Sequence, residues 1–257
     1  LADALPVQGV VTGRRNIQWH PTEDALLIWA EAQDGGDPRV ESDNRDNLLA
    51  LAAPFDGEGR VFARLEDRAS GSEGIEGTDD LIVVDYDRDT REVRQTLVDV
   101  TGDNPPRVLN LRNVQDAYND PGTPLSTYTD RGFSVARNVD GKLLLTGSGA
   151  TPEGLRPFLR RFDLTTLETE ELWRNTGEHL ESVIDVLSDD GSEFLTTYQS
   201  PTNPGNIKLY EGGQGRFLTD FPDPHPELTG IKRELVTYQR ADGVELRATL
   251  YLPPDYK

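Results

Sequence analysis

The 257-residue chain contains no cysteine, no methionine, four lysines and three histidines. The lack of cysteine excludes disulfides, thiolate metal centres and a cysteine nucleophile. The histidines, His20, His179 and His225, lie far apart with no second histidine at helical or strand spacing, so no paired metal ligands can be read from them. No apolar run reaches the length that crosses a bilayer. The opening LADALPVQGVV has neither a basic head nor a continuous apolar run, so it does not read as a secretory signal. With no initiator methionine, the chain reads as a processed or excised piece. None of these features assigns a compartment. Motifs for common chemistries are absent too: there is no G-x-S-x-G elbow, no Gly-Lys-Ser/Thr and no G-x-G-x-x-G. No cofactor or metal is expected.

What the chain has in abundance is acid. Forty-six Asp and Glu against 26 Lys and Arg give a formal charge of −20, which repels phosphate backbones and anionic lipid. Nucleic-acid binding and membrane insertion are therefore not expected. Twenty-two of the basic residues are Arg, and Asp outnumbers Glu by 27 to 19. Dense carboxylate with scarce Lys resembles proteins of salt-loving organisms; a GC-rich genome that favours Arg codons is the other reading.

Short alternating runs separated by Gly, Asp, Asn and Pro dominate the pattern and predict an all-β fold. Four groups stand out: Asn16 to Arg68, Asp80 to Arg112, Gly132 to Asn175 and Val183 to Pro222. Each holds strands joined by turns such as Val139-Asp140-Gly141-Lys142 and Ser188-Asp189-Asp190-Gly191. A weak repeat of about 45 to 60 residues predicts four-stranded antiparallel blades, about four of them, forming part of a β-propeller. A pair of sandwiches is the competing arrangement. Only Asp46 to Ala52 and Pro226 to Arg233 have the pattern for a helical turn or two. Glu234 to Lys257 reads as a hairpin turning at Asp242-Gly243.

A few stretches invite chemistry. DYDRDTREVRQT, Asp85 to Thr96, opens like a calcium loop, but Thr90 stands where the turn needs Gly and Thr96 where a bidentate Glu is needed. It reads as an acidic turn between strands. TGSGATPEG, Thr146 to Gly154, reads as a turn where the backbone crosses close to a neighbour. His20 sits where an imidazole satisfies a local hydrogen bond, and Trp19, Trp29 and Trp173 fall in strand patterns that place them in the core. In LRPFLRRFD, Arg160 and Arg161 point to opposite faces of a strand. Arg156 or Arg160 could offer a fixed charge to an acidic side chain, while pairing with the abundant surface carboxylates is the ordinary alternative.

Five longer strings carry a more specific signal: EAQDGGDPRVE (Glu31 to Glu41), YNDPGTPLSTYTDRG (Tyr118 to Gly132), GSGATPEGLRPFLRRFDL (Gly147 to Leu164), LTDFPDPHPEL (Leu218 to Leu228) and YQRADGVELRATLYLPPDY (Tyr238 to Tyr256). In content and order they resemble the glutamyl endopeptidase branch of the prolyl oligopeptidase family. The resemblance implies a propeller that restricts access to an α/β-hydrolase domain bearing a Ser, Asp, His triad, and cleavage of peptides after Glu. It divides the chain into part of a propeller (1–222) and a linker with the first strands of the hydrolase domain (223–257). No catalytic residue transfers to this chain, which alone should hydrolyse nothing. Arg131, Arg156 and Arg160 are the candidate contacts to a substrate Glu. The implied partners are peptide substrates and the hydrolase domain, and exposed blade edges could support self-association. The rival reading is a free-standing propeller that binds or scaffolds.

Overall fold

The computed structural model describes residues 5–254 and Tyr256. Its first sheet runs β1 (Arg15–Trp19), β2 (Leu26–Ala32), β3 (Asp46–Ala52), β4 (Arg60–Leu65), each strand antiparallel to the one before. The second repeats this meander with β5 (Arg68–Ile75), β6 (Asp80–Tyr86), β7 (Glu92–Asp99) and β8 (Arg107–Asn113). After the short β9 (Thr123–Pro124), the hairpin β10 (Ser126–Tyr128) and β11 (Ser134–Ala136) extends the second sheet. There β11 lies parallel to β5, with Val135 opposite Gly74.

The third sheet holds β12 (Asn138–Val139) and β13 (Lys142–Gly147). After the small hairpin β14 (Ala150–Thr151) and β15 (Gly154–Leu155), it continues through β16 (Phe158–Asp163) and β17 (Thr169–Arg174), while β9 pairs with β13. The fourth is β18 (Leu180–Val186), β19 (Phe194–Ser200), β20 (Asn203–Glu211) and β21 (Gln214–Phe217). A 3-10 turn at Pro226–Leu228 precedes the hairpin β22 (Lys232–Gln239) and β23 (Glu245–Leu252).

The chain forms two compact units. The first holds three sheets, up to Asn175, together with the turn Ser188–Gly191; the second holds the fourth sheet and the closing hairpin.

Stacking in the first unit explains why β6 is apolar on consecutive residues rather than on alternate ones. Leu81 and Val83 join Ile28, Ala30, Leu48 and Phe62 in the core between the first and second sheets. Ile82, pointing the other way, joins Ile75, Leu143 and Leu145 in the core with the third. A sheet buried on both faces needs apolar side chains at both parities. At about 1.5–3 kcal/mol per fully buried Leu, Ile or Val, these layers are the main stabilising term. The same logic corrects one expectation. Asp46–Ala52 makes no helical turn but is β3, hydrogen-bonded between β2 and β4 with Leu48 and Ala50 in the core. Of the stretch from Pro226, only Pro226–Leu228 is helical, and β22 begins at Lys232.

A buried ionic cluster joins the first two sheets. The Asp46 carboxylate, on β3, lies 2.6 Å from Arg15 Nη2 and accepts hydrogen bonds from Arg68 Nη1 (2.7 Å) and the Ala69 N–H (2.8 Å). Arg68 also donates to Asp34 Oδ2 (2.6 Å), which Arg45 reaches at 3.0 Å. Both carboxylates are fully buried. Burial pushes Asp34 up, but the Arg68 and Arg45 guanidiniums outweigh it and hold the carboxyl below its ordinary range.

Two sequence-level turns behave as expected. Asp87 closes the β6–β7 turn by accepting from the N–H groups of Asp89 (2.7 Å) and Thr90 (3.1 Å). At Gly149, whose φ is +58°, a Cβ would lie 1.9 Å from the Arg156 carbonyl oxygen, so this backbone does cross close to a neighbour.

Candidate functional site

The turn between β1 and β2 lies across β5, because Gly74 leaves it room: a Cβ there would stand 2.4 Å from Pro21 Cγ. Gln18 Nε2 on β1 donates to Ser72 Oγ on β5 at 2.8 Å, tying the two strands together. Between them runs a groove of about 380 Å³. Trp19 and Phe133 line it with Pro21, Gly74 and Leu81, and Gln18, Ser72 and Ser134 add polar character at the strand edges. A second hollow of about 430 Å³ continues it, with Asn16, Gln18, Ser70 and Ser72 above Ile28, Trp29, Leu48 and Phe62. In the first sheet β1 is an edge strand, and β11 covers the free side of β5 only at Gly74 and Ile75. The groove is thus flanked by strand edges whose main chain has no strand partner.

Two aromatic features shape its mouth. Trp19, expected in the core, is 48% exposed, whereas Trp29 is buried at 3%. The Trp19 ring is held edge-on by Phe55, centroids 5.7 Å apart, and Phe55 sits in the left-handed region at φ +65°. A bulky residue adopts that conformation only where its surroundings impose it.

Next to the groove, Glu73 lies opposite Ile82 in the β5–β6 ladder, so its side chain is on the face of β5 turned to the third sheet and away from Gly74 and Leu81. It is half-buried, accepts one hydrogen bond from Ser126 Oγ at 3.4 Å and has no ion-pair partner among the described residues. Burial pushes its carboxyl above the ordinary Glu range, and Ser126 only partly opposes that.

Arg131, from the tip between β10 and β11, does not enter the groove as a free charge. Its guanidinium bonds Asp24 Oδ1 (2.6 Å), Glu23 O (3.2 Å) and Pro21 O (3.2 Å), clasping the hairpin to the β1–β2 turn. Beneath that turn His20 is fully buried; its Nδ1 accepts from the Glu23 N–H (3.0 Å), the local role read from sequence. Burial lowers the His20 pKa, with Asp79 opposing. Glu23 is raised by a hydrogen bond with the Asp79 carboxyl.

Arg156 and Arg160 lie on the third sheet. Arg160 and Arg161 do face opposite ways: Arg160 is opposite Glu171 and 3.6 Å from it, while Arg161 bonds Glu170. The Arg160 guanidinium stacks 4.0 Å over the Phe158 ring, which Arg174 also approaches at 5.4 Å. Arg174 Nη1 donates to the Arg156 carbonyl at 3.0 Å, so Arg156, Arg160 and Arg174 form one neighbourhood around Phe158. Arg131 belongs to a different sheet.

In the second unit, one face of the fourth sheet carries Glu181, Thr196, Tyr198, Lys208, Tyr210 and Phe217 in cross-strand register. Glu181 is buried and takes bonds from Thr196 Oγ1 (2.7 Å) and Lys208 Nζ (3.1 Å), with His179 Nε2 at 3.0 Å. The Lys208 ammonium sits among the Tyr198, Tyr210 and Phe217 rings at 5.4, 4.8 and 5.6 Å. Burial raises Glu181, but Thr196 and Lys208 outweigh it and the net shift is downward. This pairing has the character of a core element. His225, in the exposed connector, is paired with Glu227 at 3.1 Å.

The serial four-stranded antiparallel sheets, stacked face to face in the first unit, define an all-β, blade-built fold of the propeller type. The dipeptidyl peptidase 4 of Porphyromonas gingivalis shares this fold at a TM-score of 0.51 and 12% identity, matching 94% of this chain and 42% of that one. No protein-family model matches the chain. Along its whole length the chain is 36% identical to "Probable glutamyl endopeptidase, chloroplastic" of Oryza sativa subsp. japonica, and 35% identical to the protein so named in Arabidopsis thaliana. The resemblance to the glutamyl endopeptidase branch therefore holds across the chain, which spans 29% of the length of these relatives.

Proposed function

We propose that this chain forms part of the propeller wall of a serine endopeptidase that cleaves peptides after Glu. The wall gates access and performs no chemistry itself. The observation that carries the reading is the 36% identity to a glutamyl endopeptidase extending over the entire chain. With it goes the division into propeller (1–222) and the linker with first hydrolase strands (223–257), the triad being carried by polypeptide other than this chain. A rigid ring of stacked blades over a hydrolase cleft makes selection depend on size as well as sequence and keeps bulk water from the reacting bond.

In this reading Arg156 and Arg160 offer positive charge to a substrate carboxylate, Arg160 from its stack on Phe158, while Arg131 is taken up by Asp24 and could serve a carboxylate only by leaving it. The test is steady-state kinetics of the full-length protein on matched peptides with Glu or Gln before the scissile bond. The Glu peptide is expected to be cleaved at least about tenfold faster in kcat/KM, the equivalent of one charge-assisted contact. Arg160→Ala should raise KM for the Glu peptide alone. Equal loss on both peptides would remove Arg160 from substrate recognition, and equal wild-type rates would remove the Glu preference.

A further inference from the structure

We infer that the hollow between the second and third sheets, beside Arg160, is a subsite for an apolar side chain that stands two residues from an acidic one in an extended peptide. The acidic half rests on the peptidase reading and its use of Arg160. The apolar half is a second point of selection that the Glu preference does not require.

The third sheet sets the spacing. Leu143, Phe162 and Thr169 lie opposite one another in one row across β13, β16 and β17, and Leu145, Arg160 and Glu171 form the next row on the same face. The first row and Leu145 wall one side of a hollow of about 170 Å³, and Ile82 and Leu109 of the second sheet wall the other. An apolar cavity of about 150 Å³ takes a benzene-sized group. Thr169 and Leu167 on its lining are exposed, so the hollow opens to solvent. Its lining also reaches the ring that carries Arg160: a Cβ on Gly122 would stand 3.0 Å from Phe158. In an extended chain residues i and i+2 project to one side about 6.5 Å apart, the same repeat that separates Phe162 from Arg160.

Arg160 is arranged to receive an acid. Glu171 is held by Arg174, whose Nε lies 2.9 and 3.0 Å from its two carboxylate oxygens, and Arg160 comes no closer to it than 3.6 Å. Two guanidiniums therefore share one carboxylate. Stacking 4.0 Å over Phe158 fixes the plane of Arg160, its side chain is 26% exposed, and its Nη groups have no hydrogen-bond acceptor among the described residues. A planar, oriented guanidinium with that edge open matches a carboxylate in charge and in shape. The second sheet adds polar groups for a main chain. Asn110 Nδ2 donates to Gln95 Oε1 at 3.5 Å, which leaves Gln95 Nε2 as a donor and Asn110 Oδ1 as an acceptor on the lining of the hollow.

The test uses the full-length protein and peptides blocked at both ends, each with one cleavable Glu. Leu, Val, Ala or Ser is placed two residues before or two residues after it. At one of these two positions Leu should raise kcat/KM at least about tenfold over Ser, with Ala and Val between. Thr169→Phe, which fills the hollow from an exposed strand position, should bring that ratio to about one. Thr165→Phe makes the same change on the exposed β16–β17 turn and should leave the ratio unchanged. Arg160→Ala should also leave the Leu-to-Ser ratio in place and remove the advantage of Glu over Gln instead.

A second measurement, fluorescence anisotropy, uses the same peptides with the amide after Glu N-methylated to block cleavage. The Leu peptide should bind about tenfold tighter than the Ser peptide, with the difference lost in Thr169→Phe. Cleavage after Glu with no advantage for Leu at either position would overturn the subsite and leave the peptidase reading standing. No cleavage after Glu would sink that reading, and the anisotropy would still decide the hollow. Equal binding of Leu and Ser peptides by the unmodified protein, or a Leu advantage that survives Thr169→Phe, would overturn it.

Discussion

Asp46→Ala is expected to remove about 3–5 kcal/mol of folding stability, the usual cost of breaking a buried ion pair by deleting one partner. The carboxylate is fully buried and holds Arg15, Arg68 and the Ala69 N–H together. Without it two guanidiniums and a backbone donor lose their partner at the junction of the first two sheets. Arg68 would keep Asp34, but among the described residues Arg15 has no second ion pair to fall back on. Thermal denaturation should show a fall of roughly 6–20 °C in the transition of this domain, at about 2–4 °C per kcal/mol for a domain of this size. Asp242→Ala, which breaks the exposed Arg240–Asp242 pair in the closing hairpin, should change stability by less than about 0.5 kcal/mol. If Asp46→Ala were equally mild, the cluster would not be the joint between the sheets.

Glu181→Gln is the second large effect, expected at about 3 kcal/mol near neutral pH. The substitution keeps the Thr196 bond geometry but strands the Lys208 ammonium inside its aromatic surround. Its pH dependence follows from the direction of the shift. A carboxyl whose native pKa lies below the ordinary value of about 4.3 contributes stability that is fully present above that value and lost as pH falls through the native pKa. The gap between wild type and Glu181→Gln should therefore close on acidification below about pH 4.

Asp99 acts in the same window. Burial raises it, but the Thr101 hydroxyl and the Thr101 and Asn104 N–H groups bring it down to about 2, worth about 2 kcal/mol above pH 4. Glu73, Asp67, Asp80 and Asp85 work in the opposite sense. Burial raises all four, so the native state gains as pH falls through their native values. Together with relief of self-repulsion at −20, this puts maximum stability in mildly acidic solution, with a steep loss below pH 4. Denaturant titrations from pH 3 to 8 measure both limbs, and a Glu181→Gln deficit that persists undiminished at pH 3 would contradict the assignment.

Much of the fold was legible because blade strands obey short-range rules. Turn residues such as Asp140-Gly141 and the apolar runs of β2, β6 and β13 mark themselves locally, and the four groups correspond to the four sheets. β5 escaped notice because Arg68–Ile75 reads RASGSEGI, with small residues where a strand normally shows alternation. Those small residues are what allow Pro21 to approach at Gly74, so the weak pattern and the groove have one cause. The groove itself could not be read from the sequence. It joins Gln18 to Ser72 across 54 positions, and no local pattern links the two. The exposure of Trp19 was hidden likewise, since edge and interior strands share the same alternation. The strings that carried the family resemblance were long enough to succeed without any geometry.

The proposed gating role meets its most direct test in one ratio: the rate at which the full-length protein would cut a given glutamyl bond in a short peptide, against the rate for the same bond in a flexible surface loop of a folded protein. Propeller gating predicts rapid cleavage of the peptide and at least about a hundredfold slower cleavage of the folded substrate, recovered when that substrate is unfolded. Comparable rates on peptide and folded protein would contradict it.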